Sequence, residues 1–244
     1  MIYISCQLII IALVIGLAGG IVFSLRRFLG KKATSFLYYL RLAIAFWLFS
    51  AALWVFQIDW LDIDIGAYNV LIISVLPIVF VVWLMRSRRF QRLLKLIPPA
   101  WLIQAQSFRL LLSLMLWLGY RGHFVPMQLT FEWLNQDIIV GITALVAASL
   151  FFGRRRFLRR EALLWNFFGI LSLFNVYVLL YFSYPGETQV FRSLPDSSFV
   201  TAIPFVWIVA FLMPVALAFH LFSIQQLWLL KSPRRQFDIR QKRG

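Results

Sequence analysis

The sequence predicts an all-α, polytopic transmembrane bundle of seven helices, with the amino terminus outside and the carboxy terminus inside. Three observations predict it. First, 62% of the 244 residues are hydrophobic, 18% are aromatic and only 14% are charged, giving a mean hydropathy of +0.84. So much apolar surface cannot be hidden in a water-soluble core of this size, so the solvent is lipid. Second, 20 of the 24 Lys and Arg residues fall into four short clusters, Arg26 to Lys32, Arg86 to Lys95, Arg154 to Arg160 and Lys231 to Arg243, separated by long apolar stretches. A membrane-spanning helix needs about 20 mostly apolar residues, and positive charge gathers on cytoplasmic flanks, so such clusters mark every second crossing. Third, Trp54, Trp60, Trp117 and Trp133 fall at the expected outer ends and Trp83, Trp101, Trp165 and Trp228 at the inner ends, while Trp47 and Trp207 lie deeper. Tryptophan prefers the headgroup level at both faces.

The spans are expected at roughly 3–25, 35–57, 69–86, 99–119, 132–153, 162–183 and 199–222, all within one transmembrane domain over 1–230. Span one carries no charge before Arg26 and Arg27. It lacks the basic leading region and small-residue cleavage site of a signal peptide, so it is expected to stay uncleaved with its start outside. Its Cys6, the single cysteine, excludes an intramolecular disulfide and multi-Cys metal sites. Gly16, Gly19 and Gly20 give it a small-residue face, and Gly141, Ala144, Ala147 and Ala148 do the same for span five; close helix contact is the expected use.

Span two carries Arg41. Span four opens on Pro98 and Pro99, tolerated where first-turn amides are unpaired anyway, and carries Gln104, Gln106 and Arg109. Pro77, Pro204 and Pro214 are expected within spans three and seven, where proline frees the carbonyl four residues earlier, at Ile73, Val200 and Ala210, unless a neighbour or water satisfies it again. A packing kink is the plain use of such residues. The longest outer loops, Gly122 to Phe131 and Tyr184 to Ser198, are too short for a soluble domain. Asp59, Asp62, Asp64, Glu132, Glu187 and Asp196 all fall on the outer side. The tail, 231–244, is basic and is expected on the inner leaflet, where each Lys or Arg contributes about 1 kcal/mol of attraction to anionic lipid; docking of a cytoplasmic partner is the alternative.

A net charge of +15 raises the question of nucleic acid. Basic residues that grip a duplex decorate a folded soluble domain, and no polar segment here is long enough to be one. The expected counter-charge is anionic lipid headgroups at the cytoplasmic face of the bilayer.

Ionisable residues inside spans cost a few kcal/mol each and are therefore functional candidates. Arg109 lies about ten residues into span four, too deep to snorkel to either surface, and so needs a partner. Asp137 on span five is the carboxylate within reach: a helix starting near Phe131 or Glu132 puts it roughly 8–9 Å below the outer surface and Arg109 roughly 15 Å below it. The inner half is expected to hold Arg41, Gln104, Gln106, Asn166 and His220. The functional reading of this set is a cytoplasm-facing polar cavity for an anion. The structural one has Arg41 snorkelling inward, the amides bonding neighbouring helices and His220 capping a helix end.

No cofactor is expected. His123 lies in an outer loop, so it cannot join His220 on a b-type haem, and no Cys, Asp or Glu falls at the depth of His220 to complete a zinc site. Span seven has no lysine for a retinal-type Schiff base, and Ser5 and Cys6 have no His or acid nearby in sequence to activate them.

Pro98, the run Trp101-Leu102-Ile103, Gln106 and Arg109, then Gly122 and Pro126, then Asp137, Gly141 and Ala144, then Trp165-Asn166 and Gly169, and finally Pro204, Pro214 and His220 form a scattered pattern over 97–227. In that pattern the chain resembles a group of uncharacterised bacterial integral membrane proteins; Asn135 and Gln136 stand where the group has a glycine before its aspartate. The resemblance implies a multi-pass protein of a bacterial inner membrane and directs attention to Gln106, Arg109, Asp137, Asn166 and His220 together. It implies no activity. From the residues, the first expectation is binding or transport of a small solute or ion, with an anion the favoured type, through a polar cavity around Arg109. The alternative is a non-catalytic accessory or assembly subunit of a larger membrane complex, with a homo-oligomer or another membrane protein as partner. An intramembrane enzyme acting on lipid comes third, because acid–base pairs are scarce.

Overall fold

The computed structural model describes residues 1–30, 34–61, 67–153 and 157–230. Lys31, Lys32, Asp62, Asp64, Arg154 to Arg156 and the basic tail lie outside the described residues, as do the side chains of Asp59 and Trp60. Every regular element among the described residues is helical: α1 (Ile2–Leu29), α2 (Thr34–Leu61), α3 (Tyr68–Arg86), α4 (Arg88–Leu94), α5 (Pro99–Gln104), α6 (Phe108–Arg121), α7 (Asp137–Phe152), α8 (Arg159–Ser183) and α9 (Met213–Leu229), with short 3-10 and π turns between some of them. Five stretches are long and apolar enough to cross a membrane: Ile2–Leu29, Thr34–Val55, Pro99–Arg121, Arg159–Ser183 and Ile208–Leu229. A sixth is added if α3 and α4, bent by 86° at Ser87, count as one span.

Apolar composition, not amphipathic striping, makes these helices. Phe46, Leu53 and Phe23 are exposed, a surface suited to hydrocarbon rather than water. The core lies where α6, α7, α8 and α9 meet. At one end of the bundle Tyr3 and Phe205 pack against Phe124, with ring centroids 4.9 and 5.6 Å away, and Phe199 stands 5.7 Å from Phe205. The opposite end carries Arg26, Arg27, the arginines of α4, Lys95 and Arg160, all exposed, and the half-buried Arg159.

Two expected boundaries are corrected. The fifth helix begins at Asp137, not near Phe131 or Glu132, because Asn135 diverts the chain locally. Its Nδ2 donates to the Leu129 carbonyl at 2.8 Å, and its Oδ1 accepts the Asp137 amide at 2.9 Å, an alternative to helix that short polar side chains favour. The last crossing does not start as an α-helix at 199. Ser198–Thr201 is a 3-10 turn, Ile208–Leu212 a π turn, and regular α-helix starts at Met213. Pro204 therefore lies ahead of the helix rather than inside it, and its predicted effect on the Val200 carbonyl does not arise. Phe199, Val200, Phe205 and Val206 are buried, as irregular backbone at membrane depth must be.

Pro214 behaves as its position predicts. The Trp47 indole donates to the Ala210 carbonyl at 2.7 Å, and Trp207 donates to the Leu48 carbonyl at 3.0 Å. Two deep tryptophans thus reach across in opposite directions and tie α2 to the π turn. Ser74 on α3 adds a bond to the Val209 carbonyl at 2.7 Å.

Candidate functional site

Five of the seven candidate residues converge between α6, α7, α8 and α9, and all five are buried. The centre is Arg109, which is 0% exposed. Its Nε donates to Asp137 Oδ2 at 2.8 Å, its Nη2 donates to Asp137 Oδ1 and to the Gly169 carbonyl, and its Nη1 stands 2.8 Å from His220 Nε2. The fork-to-fork pairing of guanidinium with carboxylate is the geometry in which a buried ion pair is strongest. Ser172 Oγ donates a third bond to the carboxylate at 3.0 Å. Asp137 opens α7, where the helix dipole favours negative charge.

The hydrogen bonds fix the histidine tautomer. Arginine only donates, so His220 Nε2 accepts and the ring proton is on Nδ1. That proton goes to Asn166 Oδ1 at 3.0 Å, leaving Asn166 Nδ2 to donate to the Ala162 carbonyl at 2.7 Å and to Ser223 Oγ at 3.0 Å. The imidazole is thereby neutral, and one cation, one anion and a neutral ring sum to zero charge. Gln106 stands one turn away in the 3-10 turn Ala105–Ser107, its Nε2 bonded to the Ala216 carbonyl at 2.9 Å.

Two glycines permit these approaches. A methyl group on Gly169 would collide with the His220 ring, and one on Gly141 with the backbone nitrogen of Leu110. The first brings α9 against α8; the second brings α7 against α6 beside Arg109. Trp165 covers the imidazole, with ring centroids 5.3 Å apart, and its indole donates to Thr143 Oγ1 at 3.0 Å. Sequence reasoning placed Trp165 at an interface and did not single out Ser172, Ser223 or Asn135. Spacing offered a signal for Ser223, one turn after His220 on the same helix face; Asn135 had none beyond its nearness to Asp137.

Arg41 and Gln104 do not join the cluster. Both are exposed, as is Glu161, so the expected inner polar cavity holding Arg41, Gln104, Gln106, Asn166 and His220 is not formed. Beside Arg109 and Asp137 is a cavity of about 20 Å³ lined mainly by apolar side chains such as Leu112, Leu173 and Val176, on the scale of a single water. Arg109 lines that small cavity while paired with Asp137 and His220.

Comparison with protein families, with curated proteins and with solved structures finds no match to this chain.

Proposed function

We propose that the chain is a seven-crossing protein of a bacterial inner membrane, amino terminus out and carboxy terminus in, serving as a non-catalytic accessory or assembly subunit of a membrane complex. The observation that carries this reading is the consumption of Arg109: each guanidinium nitrogen is occupied by a protein partner in a site of zero net charge. Four of its five N–H donors are thereby committed within the protein, which leaves it little to offer a solute. The seven crossings are supported by the five long apolar stretches, the bent α3–α4 pair and α7, a helix of 16 residues. At about 24 Å it is short for a hydrocarbon core of about 30 Å, and the buried residues Gln128, Leu129, Thr130 and Asn135 extend that segment. Orientation is supported by the gathering of exposed arginines at one end.

The two small-residue faces have different surroundings. Gly141, Ala144, Ala147 and Ala148 are buried inside the bundle, whereas Gly16, Gly19 and Gly20 have nothing within 4 Å of where a side chain would start. An open face of this kind suits close contact with another helix. The test is the mass and composition of the particle purified in mild detergent. A stoichiometric membrane partner is expected, lost when Gly16 and Gly20 are replaced by leucine with the melting temperature unchanged. A solitary particle that catalyses solute flux in proteoliposomes would refute this reading.

The second reading is small-solute or ion transport, and the broken last crossing favours it. A π turn at Ile208–Leu212 followed by Pro214, beside a buried charge pair, is the sort of discontinuity on which transporters build midplane sites. Flux abolished by Asp137→Asn in a protein that still folds would establish it.

A further inference from the structure

Away from the polar core lies an apolar cleft of about 410 Å³, walled by α1, α2, α3, α4 and α9, in which every lining residue is apolar or a tryptophan. One of its two tryptophans, Trp47, has already committed its indole N–H to Ala210. Nothing in these walls binds an ion or a polar solute. A protein cavity of about 150 Å³ holds benzene; this one has the capacity for a hydrocarbon chain. Its mouth is lateral: Phe46 on α2 and Leu76 and Phe80 on α3 line the cleft and are exposed.

The floor supplies the second observation. Helix α4 turns 86° from α3 and so runs across the end of the bundle. Phe90, Leu93 and Leu94 line the cleft, while Arg88, Arg89, Arg92 and Lys95 are exposed. The helix is held there by amides: Gln226 donates to the Leu94 and Ile97 carbonyls at 2.6 Å each, and Gln225 and Gln91 donate to the Met85 carbonyl at 2.7 and 2.8 Å. Arg26, Arg27 and Arg86 are exposed in the adjoining turns. The sole ion pair among the described residues is Arg109 with Asp137, so none of these seven cations is paired with a carboxylate of the described residues. An apolar slot that opens sideways and ends at a rim of arginines matches a molecule with a hydrocarbon chain and an anionic head.

We propose that the cleft binds an anionic phospholipid, its acyl chain entering between α2 and α3 to lie against α9 and its phosphate resting on the rim made by α4 and the end of α1. The proposal rests on the membrane reading above. It differs from general attraction to an anionic bilayer because chain and head are bound together at one place.

The test uses the full-length protein, delipidated in mild detergent and offered phosphatidylglycerol or phosphatidylcholine with identical chains, retained lipid being counted by native mass spectrometry. The wild-type protein is expected to retain phosphatidylglycerol about tenfold better. Ala43→Trp, which adds a ring from an exposed position in the cleft wall, and separately Val215→Phe, from the opposite wall, are expected to lower retention of both lipids. The triple substitution Arg88→Gln, Arg89→Gln and Arg92→Gln is expected to leave the cleft occupied and erase the preference. Each variant's melting temperature is read beside its lipid count, and two walls guard against one variant misfolding. Equal retention of the two lipids by the wild type overturns the proposal. So does undiminished retention in a folded Ala43→Trp protein, or near-complete disulfide cross-linking between two copies of Phe46→Cys in phosphatidylglycerol bilayers, which would mean that a second chain closes the mouth. Carbonate extraction of the same membranes separates the two readings. Protein that washes off refutes the membrane assignment, whereas protein that stays but shows no lipid preference refutes the lipid site alone.

Discussion

Arg109 is legible in the sequence because a guanidinium ten residues into an apolar stretch demands a partner, and Asp137 is legible because it alone is near enough to be one. The same cost argument selected Gln106, Asn166 and His220; the last two join the pair in one hydrogen-bonded network, and Gln106 is buried one turn away. It also selected Arg41 and Gln104, which face outward; hydropathy gives depth along a helix but not the direction a side chain points. We expect Asp137→Asn to destabilise the protein by about 3–5 kcal/mol, since it leaves a buried guanidinium without its counterion, and the pair Arg109→Met with Asp137→Leu to recover most of that loss. Unfolding in mixed micelles measures both, with Arg109→Met and Asp137→Leu made singly and together as a double-mutant cycle; an additive cycle would contradict the pairing. The glycines extend the argument. Gly169→Ala and Gly141→Ala each put a methyl group into occupied space and should cost about 1–3 kcal/mol, whereas Gly16→Ala on the open face should be close to neutral in the isolated protein.

At the scale of the element, the sequence predicts helix existence well and helix ends less well. Composition suffices for α1, α2, α3 and α8, whose expected and observed bounds differ by at most a few residues. The start of α7 is displaced because Asn135 bonds its own neighbourhood, a choice invisible to hydropathy. The last crossing is displaced because the segment ahead of Met213 packs as 3-10 and π turns inside the protein. What proline predicts correctly is the orphaned carbonyl at Ala210; what it cannot predict is that the donor is Trp47, 163 residues away. Trp47→Phe leaves that carbonyl buried and unpaired and is expected to cost about 1–3 kcal/mol, whereas phenylalanine at Trp228, an exposed position, should have little effect. Gln226→Leu removes two bonds that hold the α4–α5 turn. Hydrogen exchange in residues 88–97 should rise sharply while exchange in α6 and α7 stays unchanged, a difference that mass spectrometry of proteolytic fragments reads directly.

For the whole molecule, the proposed orientation gives an accessibility pattern. With buried Cys6 replaced by alanine, cysteines at Arg88 and Arg159 should react with a membrane-impermeant maleimide only after the inner membrane is opened. Cysteines at Arg121 and Arg192 should react in intact spheroplasts, and any exchange between the two groups would disprove the topology. The charge clusters carry that global pattern in the sequence, whereas the cleft between α2 and α3 has no signature there because it arises from how helices diverge. One further consequence follows from the order of the chain. Asp137 comes 28 residues after Arg109, so at roughly 5–20 residues per second the ribosome delivers the arginine-bearing segment a second or more ahead of its counterion. An arginine at the centre of a lone helix costs about 2.5–3.5 kcal/mol to insert. On the proposed orientation, the segment ending at Arg121 is therefore expected to enter the bilayer together with α7, as a hairpin already neutral, with Gly141 leaving room for the two helices to close.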